Sequence, residues 1–245
     1  LAPGRGQLDI STDVDVLGPG ASLLTIDAGG LNRIFYVESD VTATISGLTL
    51  TGGQANTGGG LFIDSNAVVT ASGLVLRNNS ASQRGGGMYV AFDAQLTMAS
   101  ATLDANTAGH EGGGLFIDFQ GDATVTGVTI SNNESANDGG GVYSDGSLMV
   151  TNTTVSGNAS GRYGGGIHSD LAELTAINIT ISDNLADSDA DDNGFGGGIY
   201  IGGNDVSLYN TIAAGNYSGV KADDVYGAPA AGSSFNIIGA GNPSL

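Results

Sequence analysis

Six copies of one short phrase recur along this chain and constrain its fold more than any other feature. Each copy is three glycines, an apolar residue, an aromatic residue or histidine, and a small or aliphatic residue. The copies begin at Gly58, Gly85, Gly112, Gly139, Gly164 and Gly196, so successive copies lie 27, 27, 27, 25 and 32 residues apart. A fixed period of this size is typical of chains built from stacked repeats. The spacing therefore predicts a stack of similar coils.

Within each repeat, apolar and polar residues alternate over short runs that are typical of β-strands. In one repeat Ala123 and Val125 fall on the same face of such a run. After a corner at Gly127, Val128 and Ile130 do so again. No stretch shows helical periodicity over a helical length. The pattern predicts an all-β fold, a right-handed parallel β-helix of about seven to eight coils with three parallel sheets and about 27 residues per coil.

We expect one domain over residues 1–245. Residues 1–30 read as an imperfect N-terminal coil or cap, residues 31–218 as regular coils, and residues 219–245 as a C-terminal cap or exit segment. The chain begins at Leu1 and not at Met, and we expect it to be part of a longer exported protein.

Charge excludes several classes of partner. Six Lys and Arg face 25 Asp and Glu, which gives a formal net charge of −19. Such a surface repels nucleic acid and anionic lipid, so we expect no nucleic-acid partner. No apolar run approaches the length of a membrane helix, and we expect no membrane insertion by this region. The absence of cysteine excludes disulfides and thiolate metal sites.

A second motif accompanies the glycine phrase, with an aliphatic residue three positions before an asparagine. Its copies are Leu76-x-x-Asn79, Leu103-x-x-Asn106, Ile130-x-x-Asn133, Val155-x-x-Asn158 and Ile181-x-x-Asn184. Together the two motifs resemble the tandem GGA-I and F-x-x-N motifs of chlamydial polymorphic outer-membrane proteins. The stretch from Asp224 to Gly239 also resembles the β-helices of bacterial choice-of-anchor surface proteins. The resemblance implies a bacterial, exported module at the cell surface or outside the cell. The partners that we expect for such a module are glycans or host or cell-surface proteins.

In a stack of coils, equivalent residues form columns, and the column of terminal asparagines is expected to hydrogen-bond from coil to coil. The aromatic position of the phrase forms another column, between two inward-facing neighbours, and should therefore face solvent. Its rings would either steady the sheet by stacking or offer a binding surface for sugars or proteins. The candidate binding residues are Tyr36, Phe62, Tyr89, Phe116, Tyr143, His168 and Tyr200.

The longest gap between phrases contains an acidic insertion. Asp189-x-Asp191-x-Asn193-Gly194 matches the first half of a calcium loop, in which side-chain oxygens alternate and a glycine makes the bend. Tyr200 stands where an EF-hand would place its bidentate Glu, so the loop is not an EF-hand. With Asp187 in front, the insertion predicts a calcium (Ca²⁺) site formed by Asp187, Asp189, Asp191 and Asn193; the alternative is an acidic, flexible loop.

Catalysis is not indicated by any complete motif. Pectate-lyase chemistry needs a basic residue beside carboxylate-held calcium, and the few basic residues do not cluster opposite acidic ones. Gly109-His110-Glu111 matches the Gly-His-Gly motif of polygalacturonases at only two of its three positions. The sequence leaves the question of enzymatic activity open and favours a secreted or cell-surface structural or adhesive module, with calcium stabilisation as a further hypothesis. The alternative is a carbohydrate-binding or carbohydrate-active β-helix that uses the aromatic column.

Overall fold

Each of the seven coils from Phe35 to Ser218 consists of four short strands that follow one another in the same order, and the coil before them has three. The structure, a computed structural model, describes residues 6–171, 173–203 and 205–240. Strands of successive coils pair in parallel and in register, so equivalent residues of neighbouring repeats lie side by side. About eight coils at a spacing of about 4.8 Å give a rod roughly 40 Å long.

Three main sheets run along the rod, which confirms the predicted all-β parallel architecture. The first sheet carries the glycine phrase, with strands Leu8–Ile10, Phe35–Val37, Leu61–Ile63, Met88–Val90, Leu115–Ile117, Val142–Ser144, Ile167–Ser169, Ile199–Ile201 and Val225–Tyr226. The second sheet comprises Val14–Leu17, Thr42–Ser46, Val68–Ser72, Gln95–Ala99, Asp122–Thr126, Ser147–Thr151, Leu174–Ile177 and Val206–Tyr209. The third comprises Thr25–Asp27, Thr49–Thr51, Val75–Arg77, Thr102–Asp104, Thr129–Ser131, Thr154–Ser156, Thr180–Ser182, Ile212–Ala214 and Ile237–Ile238.

A fourth, narrower sheet follows the third in each coil. It comprises Gln54–Thr57, Ser80–Arg84, Thr107–Ala108, Glu134–Ser135, Ala159–Ser160, Leu185–Ala186, Tyr217–Ser218 and Lys221–Ala222. The last two of these strands pair antiparallel, which reverses the chain at the C-terminal end. Most strands of this sheet have two residues, too few to produce a visible alternation in the sequence.

The interior of the rod is filled by the inward-facing residues of the three main sheets. Ile117, Val125 and Ile130 come from the three walls of one coil and are almost completely buried. Each such side chain contributes about 1.5–3 kcal/mol by leaving water. Most of the equivalent positions in the coils above and below are also apolar, with Ser144 next to Ile117 as an exception, and the core is continuous from Ile10 to Val225.

Two different requirements explain the glycines of the phrase. The first glycine of a copy, such as Gly112, has a left-handed backbone with a φ of 68°. A Cβ on the second glycine, Gly113, would collide with backbone carbonyls of Gly140 and Glu134 in the next coil. The phrase is therefore a tight turn between closely stacked coils.

The asparagine column forms a hydrogen-bonded ladder, as predicted. The Nδ2 of Asn106 donates to the carbonyl oxygen of Leu76 at 3.0 Å and to Oδ1 of Asn133 at 2.9 Å. The same pattern links the remaining members, Asn79, Asn158, Asn184 and Asn216. All six are buried, so their amides satisfy backbone groups that water does not reach.

The ladder ends on a carboxylate that fastens the C-terminal segment to the rod. Asp224 accepts hydrogen bonds from the backbone and side-chain nitrogens of Asn216, and its other oxygen accepts from the backbone of Ala240. Residues 1–5 and 241–245, the outer ends of the expected terminal segments, lie outside the described residues. The described part of the chain has no helix long and apolar enough to span a membrane.

Candidate functional site

The aromatic position of the phrase forms one continuous stack on the outer side of the first sheet. Ring centroids of neighbouring members lie 4.7 to 5.3 Å apart, with interplanar angles of 0° to 28°. All seven predicted residues take part, namely Tyr36, Phe62, Tyr89, Phe116, Tyr143, His168 and Tyr200. The stack is separate from the interior core, so the predicted outward orientation is confirmed.

The expected exposure of these rings is not found in the middle of the stack. Phe116 is 1% exposed, His168 5% and Tyr89 8%. Each ring covers the faces of its neighbours, because parallel register places successive rings directly above one another. The guanidinium of Arg84 also lies over Phe116, 5.0 Å from the ring centroid. Outward-facing side chains are thus buried by each other.

The residues that directly precede each glycine triplet form a second column beside the ring stack. This column includes Arg84, Glu111, Tyr163 and Phe195. Arg84 forms an ion pair with Glu111 of the next coil, with Nε and Oε2 2.8 Å apart. Further along, Tyr163 stacks on Tyr200 with centroids 4.7 Å apart, and Phe195 stacks on Tyr226 at the same distance. Repeat-based reasoning does not place Tyr226 here, because no glycine triplet precedes it.

A row of aspartates flanks the rings on the other side. The hydroxyl of Tyr89 donates to Asp118 at 2.6 Å, and that of Tyr143 donates to Asp145 at 3.2 Å. Tyr36 donates in the same way to Asp64, and this hydrogen bond raises the pKa of Tyr36 to about 12. Each carboxylate thereby holds the ring edge of a tyrosine in the stack.

The aspartates of this row also act on one another. Burial raises the pKa of Asp145, and the charges of Asp170 and Asp118 raise it further, against the hydrogen bond from Tyr143. A carboxyl group with a raised pKa beside other acidic side chains is an arrangement that acid–base catalysis uses. Structural columns of acidic residues produce the same shift, so the pKa alone assigns no reaction.

His168 occupies a ring position in the stack, as predicted, between Tyr143 and Tyr200. Burial lowers the pKa of His168 to about 4, against a backbone hydrogen bond with Tyr163. Its Nδ1 atom is buried and has no hydrogen-bond partner among the described residues. The imidazole is therefore neutral at physiological pH and packs as an aromatic ring.

The predicted metal ligands come together in the acidic insertion. Asp187, Asp189 and Asp191 each place one carboxylate oxygen within 4.8 Å of the others. Asp187 is buried, and its Oδ1 accepts from the backbone nitrogen of Asp191 at 3.1 Å. Asn193 donates through Nδ2 to Asp191 at 3.0 Å, and its hydrogen bonds lower the pKa of Asp191. Three clustered carboxylate oxygens suit a hard divalent cation such as calcium.

Comparison with known proteins gives one match. A family model described as a right handed beta helix region matches residues 26–170, more than half of the chain. The match confirms the predicted right-handed parallel β-helix. No curated protein and no solved structure matches the chain significantly.

Proposed function

We propose that this chain, which belongs to the right-handed β-helix family, is a rigid rod displayed at the cell surface or secreted, with a structural or adhesive role. The observation that carries the proposal is the direction of its repeated contacts. The asparagine ladder and the ring stack both join one coil to the next along most of the rod. A rod stabilised in this way holds its two ends at a fixed distance, as a stalk or adhesin must.

Several features support an exported role with protein or glycan partners. The resemblance to polymorphic outer-membrane and choice-of-anchor proteins rests on the glycine and asparagine motifs, which form the turn and the ladder. The net charge of −19 favours solubility and disfavours nucleic acid. Oxygen-rich calcium loops function at the calcium concentrations found outside cells.

The test is the accessibility of the protein on intact cells of the source organism. We expect an antibody against the purified chain to label unpermeabilised cells or to detect the chain in the medium. External protease should remove the cell-bound signal, while a cytoplasmic marker protein stays intact. Labelling that appears only after lysis would refute the exported role.

We also propose that calcium binds the Asp187, Asp189 and Asp191 cluster and stabilises the neighbouring coils. A ligand that binds only the folded state stabilises it by about 2.7 kcal/mol at one hundred times its Kd. We expect the melting temperature to fall when calcium is exchanged for chelator. The double variant Asp189→Ala/Asp191→Ala should abolish that difference.

A matched control keeps the calcium test specific. Asp15 and Asp122 are exposed strand residues far along the chain from the insertion, and the double variant Asp15→Ala/Asp122→Ala removes the same charge. This control should keep the full response to calcium. Equal melting temperatures of the wild-type protein with calcium and with chelator would refute calcium stabilisation.

Glycan binding or cleavage at the outer edge of the ring stack is a second candidate. The faces of the inner rings are covered, so a sugar would meet ring edges and the row of Asp118, Asp145 and Asp170. Burial raises the pKa of Asp145, and glycoside hydrolysis uses a carboxyl group with a raised pKa together with a second carboxylate. Binding on a glycan array that falls in Asp145→Asn but not in Asp122→Asn would support this candidate. Absence of both array binding and reducing-sugar release would reject it.

A further inference from the structure

A cleft of about 590 Å³ lies at the C-terminal end of the ring stack. One wall comes from the acidic insertion, and the other comes from the antiparallel turn that closes the fourth sheet. The side chains that matter for its chemistry are Asp187, Asp192, Phe195, Lys221, Asp223 and Tyr226. None of them belongs to the interior core.

The aromatic rings of the cleft differ from the rest of the stack in their exposure. Phe195 and Tyr226 are 41% and 40% exposed, whereas Phe116 in the middle of the stack is covered. Tyr226 stands in the last strand of the first sheet, and among the described residues it stacks only on Phe195 and Tyr200. The pair therefore presents aromatic surface to the cleft.

Negative charge exceeds positive charge around these rings. Asp187, Asp192 and Asp223 line the cleft, and Lys221 is its one basic residue. Among all the described residues the one ion pair joins Arg84 and Glu111, so Lys221 forms none with them. The lining thus carries three carboxylates against one ammonium group that does not neutralise them by direct contact.

The two inner carboxylates are held in place by the backbone. Asp187 is 5% exposed and accepts from the backbone nitrogen of Asp191. Asp223 accepts from the backbone nitrogen of Gly196 at 2.7 Å through Oδ2. Burial raises the pKa of Asp223, and the charge of Asp224 adds to that shift, so a cation nearby would favour the ionised carboxylate.

We propose that this cleft binds a small organic ammonium ion, with its charged group at the carboxylates and its carbon body on the Phe195 and Tyr226 rings. Carboxylates form strong charge-assisted hydrogen bonds with ammonium groups, and aromatic faces attract cations through their quadrupole, including the CH₂ groups next to an ammonium nitrogen that share its charge. A strongly hydrated metal ion would leave the apolar surface of the rings uncovered, and a neutral sugar would gain little from the excess charge. The inference is independent of the proposed surface location and of the rod's structural role, and it shares only Asp187 with the proposed calcium cluster.

The experiment is isothermal titration calorimetry of the purified chain with 1,5-diaminopentane in metal-free buffer at low salt and pH 7. The matched probe is 1,5-pentanediol, which has the same carbon chain without charge. We expect saturable one-to-one binding of the diamine, weaker binding at high salt, and no detectable binding of the diol.

Variants locate the binding to the cleft. Asp223→Asn keeps an oxygen for the Gly196 amide and removes the charge, and Tyr226→Leu keeps apolar bulk and removes the aromatic face. Each should weaken diamine binding about tenfold. The controls Asp122→Asn and Phe119→Ala change an exposed carboxylate and an exposed ring elsewhere, and they should bind like wild type.

Three results would overturn the inference. The first is the absence of saturable diamine binding. The second is equal binding by the diol or by a neutral sugar. The third is binding at many sites that both cleft variants retain, since that would reflect the overall negative charge of the chain. Circular dichroism of each variant verifies that it is folded, so that lost binding is not lost structure.

Discussion

Replacing Asn133 by alanine should destabilise the rod more than its small size suggests. Asn133 Oδ1 accepts from the backbone and side-chain nitrogens of Asn106, at 3.0 and 2.9 Å. Its Nδ2 donates to the carbonyl oxygen of Leu103 at 3.0 Å. Asn133→Ala removes the acceptor of the Asn106 backbone N–H, the acceptor of one of the two N–H groups on Asn106 Nδ2 (the other still donates to Leu76), and a donor to the Leu103 carbonyl oxygen. At about 1–3 kcal/mol each, with partial relief by a trapped water, the expected loss is about 3–5 kcal/mol.

The neighbouring residue provides the matched control. Asn132 is exposed and has a φ of 54°, a conformation that glycine adopts without strain. Asn132→Gly should therefore change stability by no more than about 0.5 kcal/mol. Urea unfolding followed by circular dichroism gives both free energies, provided the slope m is unchanged. If Asn133→Ala is no less stable than Asn132→Gly, the ladder does not contribute as the hydrogen bonds indicate.

Three further predictions concern the ring stack and the turns. Phe116→Ala should lower the free energy of unfolding, measured in urea, by about 3–5 kcal/mol, because the ring is buried. Phe119→Ala, at an exposed ring, should lower it by less than about 1 kcal/mol. Equal losses would contradict the burial of the stack. Burial lowers the pKa of His168 to about 4 from 6.5. Between these two pH values the unfolded state therefore binds a proton on His168 that the folded state does not bind. The contribution of neutral His168 to folding stability is complete above pH 6.5 and is lost as pH falls towards 4. Unfolding measured from pH 7 to pH 4.5 should therefore show the wild type losing about 2–3 kcal/mol relative to His168→Phe, and parallel curves would contradict this. Gly113→Ala should prevent soluble expression, because its Cβ would collide with carbonyl oxygens of the next coil. Gly127→Ala should cost about 1–2 kcal/mol of folding free energy, because only the left-handed backbone, with a φ of 63°, opposes a side chain there. Similar behaviour of the two variants would contradict the two roles of glycine.

Much of the fold is readable from the sequence because the coil is repeated. Each inward column, such as the one that contains Val125, is apolar in coil after coil, and parallel register converts that periodicity into a continuous core. The Gly127 corner and the asparagine ladder were predictable for the same reason. The fourth sheet was not, because two-residue strands such as Glu134–Ser135 carry no alternation.

The sequence predicts which residues form most of the ring stack, but it predicts less well how these rings are arranged and how exposed they are. Alternation places Phe116 outside the core, but it cannot show that rings at coil spacing cover each other. Tyr226 joins the stack through the C-terminal strand, which lacks the glycine phrase. The cleft beside it depends on an antiparallel turn at residues 217–222, a departure from the repeat that periodicity does not reveal.

Hydroxyl-radical footprinting with mass spectrometry tests the central claim, that the rings in the middle of the aromatic column are closed off by one another while those at its C-terminal end are open. The method reports the solvent exposure of individual aromatic side chains in the folded protein. We predict strong protection of Phe116 and Tyr89, together with ready oxidation of Phe119, Phe195 and Tyr226. Oxidation of Phe116 at a rate similar to that of Phe119 would contradict the closed stack and restore the whole column as an open binding surface.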